Sequence, residues 1–192
     1  TFNPSDAQKR PVVTKQQAFK LAVLGEYLFG APASCNKLST QVSTSLWRSP
    51  VESLPKFEFG DIRQTQFNKR VEVADVQLDA QGHGVIDYKG DWSRLLSPLR
   101  VKFISSLYES GGRPIARTHS GLVWPSEQML GIRASFADKN PEANSKVSFE
   151  IVKSSLDGVK HPASNLDIKL IREDRRYFWV YSQSQGWHYQ WN

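Results

Sequence analysis

Apolar and polar residues alternate along most of this chain with a period of two. Phe19, Leu21 and Val23 are interleaved with Lys20 and Ala22, and Tyr27 to Phe29 continue an apolar run. Successive side chains of a strand face opposite ways, so this alternation predicts half-buried strands. Leu38, Val42 and Leu46 flank a Ser/Thr-rich stretch that fits a half-exposed strand. Val71, Val73, Val76 and Leu78 form another, with a slip of one residue that signals a bulge. Val85, Ile86 and Tyr88 follow the turn at Asp79–Gly84. Val101, Phe103, Ser105 and Leu107 alternate cleanly, and Gly111-Gly112 turns them into a return strand over 113–118. Beyond a boundary near 119–125, Met129 to Arg133, Val147 to Ile151 and Leu166 to Leu170 read as strands. Tyr177 to Tyr181 is a strongly aromatic strand, and Gln183 to Gly186 turns it into Trp187 to Trp191.

A helical period is nearly absent. Only 91–97 and 125–130 have a helical look, of one turn at most. Residues 1–16 carry Pro4, Pro11 and Lys9-Arg10 and read as an extended lead-in. Residues 48–68 hold Pro50, Pro55 and Gly60 and read as a long irregular connection with short extended pieces. Short strands with a turn every 8–12 residues or so indicate antiparallel β-sandwiches. The expected organisation is all-β: a lead-in over 1–16, one sandwich over 17–120 and a second over 121–192. A seven-stranded sandwich takes about 100 residues, so the last strands of the second are expected to be missing.

Composition bounds the function. The chain has 192 residues, 39% of them hydrophobic, which suits packed cores. Its net charge of +6 is spread thinly. The densest basic cluster, Arg172 to Arg176, is interrupted by Glu173 and Asp174, so no nucleic-acid face is indicated. No apolar run approaches the roughly 18 residues of a membrane span. The start, Thr1-Phe2-Asn3-Pro4, carries no signal peptide and reads as an excised or mature segment.

Candidate chemistry is sparse. The one cysteine, Cys35, makes no intrachain disulfide and reads as an inert or buried thiol. His83, His119, His161 and His188 lie in separate segments, none at metal-ligand spacing. The carboxylate pairs Glu173-Asp174 and Glu72 with Asp75 read as solvated surface charge. Gly82-His83-Gly84 and Gly111-Gly112 read as hairpin turns. Tyr177, Trp179 and Tyr181 share one strand face, and Trp187, Tyr189 and Trp191 share a face of the next strand. That ladder reads first as core, then as an interdomain contact, then as a ligand platform. No catalytic, cofactor-binding or metal-ligating residue is expected.

One ordered set of segments resembles a known family. Tyr27-Leu28-Phe29-Gly30-Ala31-Pro32-Ala33-Ser34 resembles the Tyr-x-Tyr-Gly-x-Pro-Val pattern of macroglobulin-like domains, in its bacterial form. Gly121 to Pro125 followed by Gly131-Ile132-Arg133 looks like the start of the next such domain. Phe149 to Gly158, Leu170 to Glu173, Tyr177 to Trp179 and Trp187 are similar to its later strands. The chain is thus identified as two consecutive domains of a bacterial α2-macroglobulin, each similar to a fibronectin type III sandwich. The resemblance implies a much longer, periplasmic parent lipoprotein anchored to the inner membrane. Such a parent offers a bait region to proteases and traps them by conformational change and a reactive thioester. The implied partners are the neighbouring macroglobulin domains and, through bait and thioester, a target protease. The family's thioester string is Cys-x-Glu-Gln, whereas Cys35 precedes Asn36-Lys37-Leu38 and sits where the family often has glycine. The expected role is a non-catalytic scaffold. The rival reading is a cell-surface fibronectin-type module binding carbohydrate or another surface ligand, with a hydrolytic enzyme a distant third.

Overall fold

The computed structural model describes residues 2–4, 10–109, 112–136, 141, 144–171 and 177–191. They contain strands and turns and no helix. Residues 1–162 form one compact unit and 163–192 another.

The first unit opens with a sandwich of two sheets. One sheet has three strands in the order β1 (Phe2–Pro4), β3 (Phe19–Gly25), β7 (His83–Tyr88). The other has five, in the order β2 (Val12–Val13), β9 (Ile115–Val123), β8 (Leu99–Tyr108), β4 (Lys37–Leu46), β6 (Arg70–Gln77). The alternation read from the sequence faces the residues inward. Phe19, Tyr88, Phe103, Val42, Val101 and Val123 meet in one part of the core, and Val23, Ile86, Leu38 and Leu107 in another. Edge-to-face aromatic contacts tie the two sheets, with Phe19 and Phe103 centroids 5.2 Å apart.

Several expectations need correction. The lead-in contains two strands: β1 pairs antiparallel with β3, and β2 runs parallel to β9. Val13 is buried there, and Trp124 N–H donates to Val13 O at 2.9 Å. Two-residue pairing of this kind depends on what lies alongside, so no local period announces it. The sandwich is therefore not wholly antiparallel. The Ser/Thr-rich strand β4 alternates buried with half-buried positions as expected, and it lies between β8, paired over Lys37–Leu46, and β6, paired over 37–43. Thr40 and Thr44 are buried in it, because Thr40 Oγ1 and Ser105 Oγ hydrogen-bond at 2.9 Å and Thr44 Oγ1 donates to Phe67 O at 2.8 Å. The slip in β6 is a bulge: its register against β4 shifts between Leu38 and Thr40.

The Asp79–Gly84 turn also differs. It links β6 to β7, which belong to different sheets, so it is a crossover rather than a hairpin within one sheet. Asp79 Oδ1 accepts from Gln81 N–H and His83 N–H. The Gly111-Gly112 connection does join the antiparallel neighbours β8 and β9, although Gly111 itself lies outside the described residues. At 91–97 there is one turn, closed by Leu95 N–H to Trp92 O at 2.9 Å.

The same unit holds a third sheet, in the order β12 (Lys160–His161), β11 (Phe149–Ser154), β10 (Met129–Ala134), β5 (Glu58–Phe59). Strand β5 comes from the irregular connection at 48–68, so the expected boundary at residue 120 is crossed by a backbone ladder. Turns closed by Leu54 N–H to Val51 O and Phe57 N–H to Leu54 O line up Val51, Leu54 and Phe57. These residues, Phe59 and Trp124 form a third core with Met129, Val152 and Leu156 packed on it.

The described residues of the second unit contain one antiparallel hairpin, β13 (Tyr177–Ser182) and β14 (Gly186–Trp191), turned as expected at 183–185, whereas the strand expected over 166–170 is not formed.

Candidate functional site

The described residues bring no catalytic set together. His83 starts β7, its Nδ1 3.8 Å from Asp79 Oδ1. His119 lies in β9, where partial burial lowers its pKa below the ordinary imidazole value. His161 Nε2 lies 3.3 Å from Ser155 Oγ, and His188 Nδ1 lies 3.1 Å from Gly186 O. Among the described residues no three His, Cys, Asp or Glu side chains group to hold a metal ion.

The two carboxylates of β6 are held apart. Glu72 accepts from Gln41 Nε2, and Asp75 pairs with Lys37 Nζ at 2.6 Å. The hydrogen bond from Lys37 holds the Asp75 pKa below the usual carboxylate range. Glu173 and Asp174 lie outside the described residues. Cys35 is exposed rather than buried, and its φ is +59°. An L side chain in that region costs about 1–2 kcal/mol, whereas glycine adopts it freely. That geometry suits the glycine which the family resemblance implies at this position.

Exposed apolar side chains stand at several places among the described residues. The first is the turn after β3, where Leu28 is 96% and Phe29 81% exposed. The second is the aromatic ladder. Its register sets Tyr177 opposite Trp191, Trp179 opposite Tyr189 and Tyr181 opposite Trp187. The Trp179 and Tyr189 centroids are 4.1 Å apart, those of Tyr181 and Trp187 5.6 Å. The shared face is as read from the sequence, but within the second unit the rings are not core: Trp179 and Trp187 stay more than half exposed. The third is the outer face of the four-stranded sheet, where Leu130, Ile132, Phe149 and Ile151 are exposed.

The junction between the first sandwich and that sheet is closed. The Phe59 and Trp124 rings meet edge to face, 5.4 Å between centroids. A Cβ added at Gly131 would lie 2.7 Å from the Phe59 ring. Arg133 spans the margin, with its guanidinium 4.5 Å from the centre of the Phe57 ring and 2.6 Å from Glu150 Oε2. An open groove of roughly 560 Å³ runs beside the junction, bounded by Arg10, Leu122, Glu52 and Asp157.

A polar knot holds the loops at this end. Arg48 donates to the carbonyls of Asp61, Ile62 and Gln64 at 3.0, 3.4 and 2.8 Å. Gln64 Oε1 accepts from Leu96 N–H and Ser97 N–H. Hydrogen bonds from Arg63 draw the Asp61 pKa down to about 2. The Arg48 bonds close the 48–68 segment on itself, and only those of Gln64 reach residues 30 to 33 positions away.

Comparison with known proteins agrees with this architecture. Residues 2–125 match the family model described as bacterial α2-macroglobulin MG5 domain, and 131–192 match bacterial macroglobulin domain 6. The chain is 37% identical to an α2-macroglobulin of Escherichia coli K12, over 95% of this chain and 12% of that protein. It is similar across its whole length to solved Salmonella α2-macroglobulin reacted with methylamine, with TM-score 0.84, 35% identity and 13% of that chain covered. The native conformation of E. coli α2-macroglobulin gives TM-score 0.79 at 35% identity, again over all of this chain and 13% of that one. The chain thus spans about an eighth of these relatives. With both domain models matched in order along an all-β fold, it belongs to the bacterial α2-macroglobulin family and spans that family's fifth and sixth macroglobulin domains.

Proposed function

We propose that these domains are a non-catalytic scaffold segment of a bacterial α2-macroglobulin, a broad-spectrum inhibitor that traps endopeptidases by conformational change. The observation that carries this reading is the shared strand: β5 lies in the sequence of the first domain and in the sheet of the second. Joined by a ladder and an apolar core, the first sandwich and the four-stranded sheet behave as one strut, and the movement of trapping falls to segments outside it. Bait region and thioester lie elsewhere in the parent, since Cys35 is not followed by Glu-Gln. The parent is a periplasmic lipoprotein anchored to the inner membrane, and the partners of this segment are its neighbouring macroglobulin domains.

An entrapment assay on the full-length parent tests this. An endopeptidase incubated with the parent keeps its activity on a small peptide substrate and loses it on a protein substrate. Residues 1–192 alone leave both activities intact. Inhibition by the isolated segment, or no entrapment by the parent, removes the reading. The exposed aromatic ladder favours one rival, a carbohydrate-binding module. Saturable glycan binding by residues 1–192 that is lost in both Trp179→Ala and Trp187→Ala would establish that rival instead.

A further inference from the structure

The turn at Tyr27–Pro32 packs Tyr27 against the core of the first sandwich and leaves Leu28 and Phe29 outside it. Tyr27 N–H donates to Ala31 O at 2.8 Å and Gly30 N–H to Tyr27 O at 3.0 Å, with Gly30 at φ +85°. A bridge between Glu26 and Pro32 closes its base. Beneath it, Ala33 N–H donates to Gly25 O at 2.9 Å and Asn36 Nδ2 to Tyr27 Oη at 3.0 Å. The Tyr27 and Phe29 rings stack in parallel, 5.3 Å between centroids. The backbone is thus fastened at both ends, while Leu28 and Phe29 stand out at 96% and 81% exposure. Two adjacent large apolar side chains held out of their own core on a stiff turn mark a contact site.

Its position limits the partner. Strand β3 runs toward this turn and β4 runs away from it. Strand β9, antiparallel to β8 as β4 is, also runs away from the turn and ends against Trp124, in the junction with the four-stranded sheet. The turn and the junction are therefore opposite poles of the first sandwich. Strand β1 is antiparallel to β3, with Phe2 opposite Gly25, so polypeptide preceding Phe2 reaches the sandwich at the pole of the turn. Lys37, a nearby cation in the chain, is paired with Asp75.

We propose that Leu28 and Phe29 form a docking knob for an apolar surface of the domain that immediately precedes these residues in the parent polypeptide. This rests on the reading of the chain as part of a longer macroglobulin. The turn is shaped before docking, so little backbone freedom is lost on contact.

The test uses the full-length parent with p-benzoylphenylalanine in place of Phe29. Irradiation followed by peptide mass spectrometry is expected to give an intrachain cross-link to residues preceding Thr1. In the Phe29→Asp parent, amide exchange of the cross-linked segment is expected to quicken by about tenfold, while β8 and β9 keep their protection. A cross-link to residues beyond Asn192, to a second copy, to an added endopeptidase or to nothing overturns the proposal. So does unchanged exchange in Phe29→Asp. Entrapment measured on the unmodified parent keeps the two readings apart: a parent that traps protease but cross-links elsewhere loses the knob and keeps the scaffold.

Discussion

Phe59, from the irregular connection of the first domain, and Trp124, at the exit of strand β9, meet edge to face with centroids 5.4 Å apart at an interplanar angle of 61°. Both are buried, and Gly131 of the next domain packs onto the Phe59 ring. One aromatic pair thus belongs to both domains.

Phe59→Ala removes the centre of that junction. Large-to-small changes at buried aromatics cost about 3–5 kcal/mol. The variant is expected to unfold at lower urea concentration by tryptophan fluorescence and to lose amide protection across 129–134. Gly131→Val reaches the same end by overpacking. Loss of protection confined to β8 and β9 would contradict the shared core.

Two glycines with similar φ separate backbone strain from crowding. Gly30 has φ +85° and open space around its Cα, whereas Gly60 has φ +97° and a Cβ there would lie 2.4 Å from Ser97 Cα. Gly30→Ala is expected to cost about 1 kcal/mol, the left-handed penalty alone. Gly60→Ala adds overpacking against backbone and is expected to cost about 2–4 kcal/mol in all. Equal urea midpoints for the two variants would refute the distinction.

Cys35 offers the converse experiment. Cys35→Gly relieves its left-handed backbone but frees the unfolded chain, so stability is expected to stay within about 1 kcal/mol. Cys35→Val puts a β-branched residue at φ +59° and is expected to lose about 1–2 kcal/mol. Thermal unfolding of both checks this. The exposed thiol of the native protein is also expected to react with a maleimide without denaturant.

Asp61 sets an acid limit. Its pKa is lowered to about 2 in the fold by hydrogen bonds from Arg63, against about 3.9 unfolded. A depressed carboxylate stabilises the fold above its unfolded pKa and loses that contribution as pH falls through the folded one. The urea midpoint is expected to drop between about pH 4 and about 2, by less in Arg63→Gln than in the unaltered sequence. An equal drop in both would show that other carboxylates carry the transition.

Arg48→Lys tests the loop knot. Lysine cannot reach three diverging carbonyls with a planar fork. The variant is expected to lose about 1–2 kcal/mol and to be cut faster by trypsin at Arg63. Unchanged cleavage would mean that Gln64 alone holds the loop.

Period-two alternation, with glycine and proline at the turns, is enough to read β3, β4, β6 to β11 and the aromatic hairpin from the chain itself. The bulge in β6 is legible too, as a slip in that alternation. These are local properties, since a strand declares which faces it will bury before its neighbours are known. The Tyr27–Pro32 pattern, taken in order with the later segments, also carries the family. The tertiary structure alone decides the rest. Strands β1, β2 and β5 are two or three residues long and have no period; they exist because Gly25, Leu122 and Gly131 lie beside them. Whether Asp79–Gly84 turns within a sheet or crosses between sheets depends on which partner β7 finds. Strand β5 crosses the expected boundary at 120 for the same reason: hydrogen bonds and apolar contacts are formed between neighbours in space, and Phe59 has Trp124 and Gly131 as its neighbours.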